Sequence, residues 1–224
     1  MAGPASVALG MWLAMGGAKA GAAAEAPKVV DATEVVKDLV VDMKYATPDN
    51  FLKQKVYPDG ARCMLLPDAA ARLAKAADKL RAQGYRLKVY DCYRPIAVQW
   101  QMWKIFPKPG YVANPKKGGN HNRGAAVDLT LTTMEGQEVE MPTEFDSFEP
   151  KAHHGYAGGT EASRKHREIL RAAMEGAGFK KNPMEWWHYD LPGATKLPVL
   201  DVPFTKPEQT ETPPPRPRPS EEQK

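Results

Sequence analysis

The sequence predicts a single α+β domain with a largely antiparallel sheet flanked by helices. Helical and strand patterns are mixed along the chain, without the regular strand-helix-strand rhythm that predicts a parallel sheet. The 224 residues are enough for one domain with a sizeable core. Hydrophobic residues make up 42% and charged residues 26%, a composition typical of a soluble globular protein.

Three segments show helical periodicity. In residues 67–84, apolar side chains recur every three or four positions, and Gly84 is a suitable stop. Pro95 could open a second helix that runs to about Ile105, before two prolines end it. The third helix spans residues 161–176 and gathers its apolar side chains on one side.

Strand patterns lie between these helices. Residues 87–90 form a short strand, residues 125–131 alternate in polarity, and residues 186–191 have the composition of a further strand. Residues 107–124 are rich in Pro, Gly, Lys and Asn, which predicts a loop, and a polar region follows over roughly 132–160.

The two ends of the chain differ in composition from the domain, which we expect to span residues 27–203. Residues 1–26 contain an apolar stretch followed by Ala-x-Ala pairs, as in a secretory signal, although no Lys or Arg precedes the stretch. A disordered Ala/Gly-rich leader is the alternative. Residues 204–224 are rich in proline and predict an extended, disordered tail. The leader favours export, with a cytoplasmic location as the alternative.

Charge and cysteine content limit the partners. A net charge of +4, with no basic run interleaved with aromatic residues, gives no support to nucleic-acid binding. The apolar leader is too short for a membrane span, so none is expected in the mature chain. Cys63 and Cys92 are the two cysteines, and they could form a disulfide in an exported protein or remain buried free thiols. Oligomeric state is not indicated.

Three short motifs contain side chains that could carry chemistry. In the first, H-N-R-G-A-A-V-D, His121 ends a glycine-containing loop and Asp128 lies in the predicted strand that follows. Zinc binds imidazole nitrogen and carboxylate oxygen, and catalytic zinc sites typically have three protein ligands. This pair alone is weak evidence, because a single histidine is more often a surface residue or a satisfied core residue.

The second motif is E-W-W-H, from Glu185 to His188. In a continuous strand these two side chains would face opposite sides, so a shared cleft requires a bend or a strand end near Glu185. His188 would then be a third ligand and Glu185 a general base, unless the motif is only two aromatic core residues flanked by polar ones.

The third motif, D-C-Y-R-P, contains Arg94, which could stabilise an oxyanion or be an ordinary surface arginine.

Together these motifs resemble those of the D-alanyl-D-alanine dipeptidases, the VanX-type zinc peptidases related to zinc D-Ala-D-Ala carboxypeptidases. The similarity runs from about residue 32 to residue 191. It includes D-M-K-Y-A-T-P-D-N-F at residues 42–51 and F-D at residues 145–146. The resemblance implies zinc-dependent hydrolysis of a D,D-dipeptide to free D-alanine, with one Zn²⁺ per chain held in the central cleft.

The resemblance also implies a role for each matching side chain at the reacting centre. His121, Asp128 and His188 correspond to the zinc ligands of the family. Glu185 corresponds to its general base, and Arg94 to the arginine that stabilises the transition state.

On the substrate side, the resemblance implies that Asp146 receives the amino group of the dipeptide and that Tyr45 lines the cleft, although Tyr45 could equally pack in the core. Where the family commonly has a serine near the substrate carboxylate, this chain has Gly119, and Asn120 could substitute. Cys92 stands where a glycine is often found, which is compatible with a bridge to the other cysteine. His153 and His154 are expected at the surface or the cleft rim.

Two other functions stay open at this point. One is a D,D-carboxypeptidase, or another peptidoglycan-trimming peptidase, with the same zinc ligands. The other is a catalytically inactive protein that holds zinc and cell-wall peptide, which the presence of both Glu185 and Arg94 disfavours. With the leader, the resemblance favours the bacterial periplasm.

Overall fold

The computed structural model describes residues 28–202, which contain two β-sheets and three α-helices joined by turns and loops. The α+β class predicted from the sequence is therefore confirmed. The predicted leader, residues 1–26, and the predicted tail, residues 204–224, lie outside the described residues. Among residues 28–202, no helix is both long enough and apolar enough to cross a membrane.

The helices lie where the periodicity predicted them. Helix α1 spans Pro67–Arg81, α2 spans Ile96–Ile105 and α3 spans Glu161–Gly176. Helix α1 ends three residues before Gly84, whose φ of 82° is a left-handed conformation that glycine adopts without strain. That turn leads the chain from α1 directly into the sheet.

The main sheet has five strands in the order β2-β4-β5-β7-β6, and a separate two-stranded sheet pairs β1 with β3. Only the β2–β4 pair is parallel among these described strands, so the sheet is largely antiparallel. The strands are β1 Val30–Asp31, β2 Val40–Val41, β3 Met64–Leu65, β4 Tyr85–Asp91, β5 Ala126–Thr133, β6 Lys180–Lys181 and β7 His188–Asp190. Four of them have two residues each, too few to show a period in the sequence.

The central strand β5 separates the apolar core from the polar side of the sheet. Its side chains alternate, so Leu129 and Leu131 face one side while Asp128 and Thr130 face the other. The two leucines are fully buried in the same hydrophobic core as Leu73 of α1. Burial of the leucines orients β5, and with it the side chain of Asp128.

One predicted strand is wrong at its start. Residues 186–191 were expected to be extended, but β7 begins only at His188, and Trp186 and Trp187 form a turn before it. Both indoles are almost completely buried, with exposed fractions of 1% and 2%. Two large adjacent side chains that both enter the core do not fit strand alternation, and the turn lets both of them do so.

Candidate active site

Strand register brings two of the predicted ligands together. Asp128 of β5 pairs with Asp91 of β4 on one side and with His188, the first residue of β7, on the other. A bulge between Val89 and Asp91 shifts the register of β4 just before this row. Three polar side chains therefore lie side by side at one end of the sheet.

His121 joins this row from a neighbouring turn. Its Nε2 lies 3.3 Å from Asp128 Oδ2 and 3.2 Å from His188 Nδ1, while His188 Nδ1 lies 2.9 Å from Asp128 Oδ1. Ligand atoms of these three residues lie within 4.8 Å of one another, so the group could hold a metal ion. The turn at residues 121–123 closes at Gly124, whose φ of 62° is left-handed.

Hydrogen bonds set which ring nitrogens are available. The carbonyl oxygen of Cys92 lies 2.7 Å from His121 Nδ1 and can only accept, so Nδ1 carries a proton and Nε2 is the nitrogen that faces Asp128. His188 Nε2 donates to Asp190 Oδ1 at 2.9 Å, which leaves Nδ1 as the nitrogen available to a metal. Both available nitrogens lie beside Asp128, and this oriented N, N, O donor set fits a divalent cation.

Electrostatics keep the carboxylate of this group ionised. Burial alone would raise the pKa of Asp128, but the imidazoles of His121 and His188 hold it well below its ordinary value. Metal binding requires an ionised carboxylate, and Asp128 supplies one between the two imidazoles.

Asp190 contacts the candidate ligand His188, which the sequence motifs did not indicate. It lies two residues after His188 in β7, and alternation places both side chains on one face of the strand. Burial would raise the pKa of Asp190, but His188 lowers it, so the carboxylate is ionised opposite the imidazole. The period-two spacing in H-Y-D was the available signal.

Glu185 reaches the cleft because of the turn that precedes β7. The backbone N–H of His188 donates to the Glu185 carbonyl, and Glu185 Oε2 lies 3.8 Å from His188 Nδ1. The amide of Asn182 donates to the same carboxylate oxygen at 2.8 Å. Burial raises the pKa of Glu185 to about 7, which places its protonation change near neutral pH.

Arg94 is buried and lines the same cavity as His121, Asp128 and His188. The alternative that it is an ordinary surface arginine is therefore wrong. Its Nε and Nη2 donate to Asp91 Oδ2 at 3.1 and 2.5 Å, and its Nη1 donates to Gln99 Oε1 at 2.9 Å. The guanidinium carbon lies 5.2 Å from the centre of the Tyr45 ring. Burial would lower the pKa of Arg94, but Asp91 raises it well above its ordinary value, so the cation persists.

Asp91, the first residue of the D-C-Y-R-P motif, anchors this arginine. It is fully buried and accepts further hydrogen bonds from the Tyr57 hydroxyl at 2.6 Å and the Cys92 N–H at 2.9 Å. A buried carboxylate is stable only with such partners. Asp91 therefore holds the guanidinium of Arg94 in position through Oδ2, a role that the motif did not indicate.

These side chains open into one cavity of about 370 Å³. Asp146 lines it with a φ of 61°, an uncommon backbone conformation for a residue other than glycine. The Tyr45 hydroxyl lies 3.1 and 3.2 Å from the two Asp146 carboxylate oxygens. Burial raises the pKa of Asp146 well above its ordinary value. Other lining residues include Arg94, Gly119, Asn120, His121, Asp128, Glu185 and His188.

The loop next to His121 is closely packed at Gly119. The Gly119 N–H donates to Asn122 Oδ1 at 2.6 Å, and a Cβ at this position would lie 2.9 Å from the Cβ of Ala113. A serine would therefore require movement of the facing loop. Asn120 also lines the cavity, and its side chain hydrogen-bonds to Asp190.

Cys63 and Cys92 form a disulfide, and both residues are fully buried. The alternative of two free thiols does not describe this structure.

The expectation that His153 and His154 lie at the surface or the cleft rim is wrong for His154, which is 8% exposed and packs against Tyr189. Neither histidine lines the cavity described above.

Comparison with known proteins identifies relatives of one kind. Residues 25–208 match the peptidase M15 family, described as D-ala-D-ala dipeptidase. The chain is 36% identical to the D-alanyl-D-alanine dipeptidase of Escherichia coli K12 over 178 residues, 80% of this chain and 92% of that protein. It is 34% identical to proteins of the same name from Enterococcus faecium and Enterococcus faecalis, covering 88% and 84% of them and 70% and 67% of this chain.

Proposed function

The chain belongs to the D-Ala-D-Ala dipeptidase family of M15 peptidases, and we propose that it hydrolyses D-alanyl-D-alanine to two molecules of D-alanine with a bound zinc ion. The main support is the convergence of His121, Asp128 and His188 with Glu185 and Arg94 in one cavity. These five side chains provide a cation site, a base and an anion-stabilising group for peptide hydrolysis.

We assign the zinc ion to His121, Asp128 and His188, one per chain. Each imidazole directs one nitrogen toward an ionised carboxylate, which is the geometry that a zinc site with three protein ligands needs. When bound, zinc supplies Lewis-acid chemistry, since it polarises a carbonyl group and brings the pKa of a water to about 7.

Glu185 is proposed to move the proton. During hydrolysis a water adds its oxygen to the carbonyl carbon of the dipeptide, and its proton must reach the nitrogen of the leaving D-alanine. Glu185 accepts that proton and delivers it to the nitrogen. Asn182 hydrogen-bonds to Oε2, so the other oxygen, Oε1, can take the proton.

Arg94 is proposed to stabilise the negative oxygen that develops on the substrate carbonyl. Among residues 28–202, Asp91, Gln99 and Tyr57 accept from at most four of its five N–H groups, which leaves at least one for the substrate. Because Asp91 holds the guanidinium in place beforehand, little reorganisation is needed when the charge develops.

Asp146 is proposed to receive the substrate ammonium group. Burial keeps the pKa of this carboxyl high in the free protein, and an ammonium cation beside it would lower that pKa and ionise the carboxylate. A cavity of about 370 Å³ lies at the small end of the range for small-molecule sites. A small cavity with a carboxylate in its lining favours a free dipeptide over a longer peptide.

The test is release of D-alanine from D-Ala-D-Ala by the purified full chain, with L-Ala-L-Ala as a control substrate. Activity should be lost with a chelator, return with added zinc, and be absent from Glu185→Ala. Activity that survives the chelator, or that persists fully in Glu185→Ala, would overturn the mechanism. Turnover of a stem pentapeptide but not of the dipeptide would favour a carboxypeptidase. No turnover of any D,D-peptide by the zinc-loaded protein would favour a binding protein.

Export to the bacterial periplasm is proposed as well. The composition of residues 1–26 supports it, and so does the Cys63–Cys92 disulfide, because such bonds persist in oxidising compartments. Cell fractionation of the source bacterium tests it, and recovery of the protein with reduced cysteines in the cytoplasm would contradict it.

A further inference from the structure

We propose that the Cys63–Cys92 disulfide is a positioning element of the metal site, which holds the Cys92 carbonyl against His121 and so strengthens zinc binding. The inference rests on the proposed zinc site and concerns residues that the mechanism itself does not use. Its basis is that Cys92 both forms the disulfide and orients a metal ligand.

The contact to His121 is made by the backbone of Cys92. The Cys92 carbonyl lies 2.7 Å from His121 Nδ1 and accepts a hydrogen bond from it, which directs Nε2 toward Asp128. Such hydrogen bonds to a ligand's second nitrogen fix both the tautomer and the ring orientation. Any freedom in the position of the Cys92 carbonyl therefore becomes freedom in the position of the ligand nitrogen.

Few regular backbone hydrogen bonds hold the segment that contains Cys92. Strand β4 ends at Asp91, and residues 92–95 have no regular secondary structure. The Tyr93 N–H donates to the Met64 carbonyl at 2.9 Å, and the Arg94 N–H donates to the His121 carbonyl at 3.1 Å. The segment thus spans the gap between strand β3 and the turn of His121.

The disulfide connects this segment to a supported partner. Cys63 immediately precedes β3, which pairs with β1, and the Cys63 carbonyl accepts the Ala32 N–H at 2.8 Å. Cys92 is therefore covalently attached to a two-stranded sheet outside the main sheet. Without the bond, the Tyr93–Met64 hydrogen bond would be the remaining direct tie between the two segments among the backbone contacts described above.

The size of the effect follows from what the bond changes. Loss of a hydrogen bond to a metal-binding histidine typically weakens metal affinity by about 10- to 100-fold. Replacement of the cysteines leaves the carbonyl of residue 92 in place but loosens it. We therefore expect an effect near the lower end, a zinc Kd raised by about 10-fold.

The test is the zinc Kd of the folded, metal-free full chain, measured without denaturant by competition with a chromophoric chelator. The Cys63→Ala/Cys92→Ala variant should show the 10-fold weaker binding. The matched control is Leu170→Ala, which removes a fully buried side chain of α3 and lowers stability without touching residues 91–94. Its zinc Kd should equal that of the wild type.

A bridge with only a structural role would lower the denaturation midpoint of the metal-free variant and leave its zinc Kd unchanged, which would overturn the proposal. If the double alanine variant does not fold, Cys63→Val/Cys92→Ala is measured in its place, because the valine fills part of the volume that the sulfur atoms leave. Nitrogen NMR of His121 in the metal-free wild type gives a second readout that needs no variant. We expect Nδ1 to carry a proton, and an unprotonated Nδ1 would refute the inference.

These readouts separate the inference from the proposed function. An unchanged zinc Kd in the cysteine variant contradicts the positioning role alone. Zinc binding by the wild type without dipeptide hydrolysis contradicts the proposed function alone. If the wild type binds no zinc, the zinc assignment and the positioning role of the disulfide both fail.

Discussion

His188 and Asp128 are directly opposed in the antiparallel strands β7 and β5, with 2.9 Å between His188 Nδ1 and Asp128 Oδ1. On the other side of the ring, Nε2 is 2.9 Å from the carboxylate of Asp190. The imidazole is thus held between two carboxylates. Asp128 is positioned to share a metal ion with it, and Asp190 sets which nitrogen is free for that ion.

Removal of Asp190 should weaken zinc binding without removing a ligand. Asp190→Ala leaves His188 Nε2 without its acceptor, so we expect a zinc Kd raised by about 10- to 100-fold. Asp190→Asn keeps an acceptor without the charge, so its zinc Kd should lie between those of Asp190→Ala and the wild type. Competition with a chromophoric chelator measures both values. The exposed Asp201→Ala is the control, and an unchanged Kd in Asp190→Ala would remove this role.

Zinc affinity should fall as the pH is lowered. Burial opposes protonation of His188, but Asp190 and Asp128 raise its pKa well above the ordinary value in the metal-free protein. The ring is therefore protonated near neutral pH, and zinc must displace that proton from Nδ1. Calorimetry in two buffers with different ionisation enthalpies should detect about one proton released per zinc bound. Binding without proton release near neutral pH would contradict this assignment.

Replacement of Glu185 should separate metal binding from catalysis. In Glu185→Gln we expect one zinc per chain, as in the wild type, but turnover of D-Ala-D-Ala reduced by about 10² to 10⁴-fold. Metal analysis and D-alanine release measure the two quantities. Glu175→Gln, on the half-buried surface of α3 where it pairs with Lys181, is the control and should keep full activity.

The same residue should set the acidic side of the pH profile. Glu185 must be ionised to accept a proton, so kcat/KM should fall as the pH drops through its pKa. That pKa is about 7 in the metal-free protein because of burial, and a bound cation lowers it. The acidic limb is therefore expected below pH 7. A profile that stays flat from pH 7 to well below the ordinary pKa of glutamate would contradict the assignment.

Asp146 should control recognition of the substrate amine. Asp146→Asn preserves the shape and tolerates the φ of 61°, but it loses the charge, so KM for D-Ala-D-Ala should rise by roughly 10- to 100-fold. Steady-state kinetics on the dipeptide and on its N-acetyl derivative should show reduced discrimination. Asp146→Gly, which relieves any backbone strain, controls for effects on folding. An unchanged KM in both variants would exclude the role.

Gly119 and Ala113 should behave as a coupled pair. In Gly119→Ser the new Cβ would lie 2.9 Å from the Cβ of Ala113, and such overpacking typically costs about 1 to 3 kcal/mol of unfolding free energy. Adding Ala113→Gly removes the facing atom and should recover most of that loss. Denaturant unfolding of the two single variants and the double variant measures the coupling. Additive effects would show that the two positions are independent.

Much of the site could be predicted from the sequence because zinc chemistry restricts the residue types. His121, Asp128 and His188 are the kinds of side chain that zinc selects, and the family resemblance supplied their grouping. The roles of Asp190 and Asp91 were not predicted. Both act through other side chains, and such support depends on which atoms meet in the folded protein.

By itself the sequence determined the α+β class, the three helices and the two long strands, because periodicity is a property of neighbouring residues. Only the tertiary structure decided how distant segments meet. The turn at Trp186 and Trp187 brings Glu185 beside His188, and contacts to His121 come from residues 29 and 67 positions away in the chain. Strand register and core packing select those contacts, and both arise from burial of the whole chain.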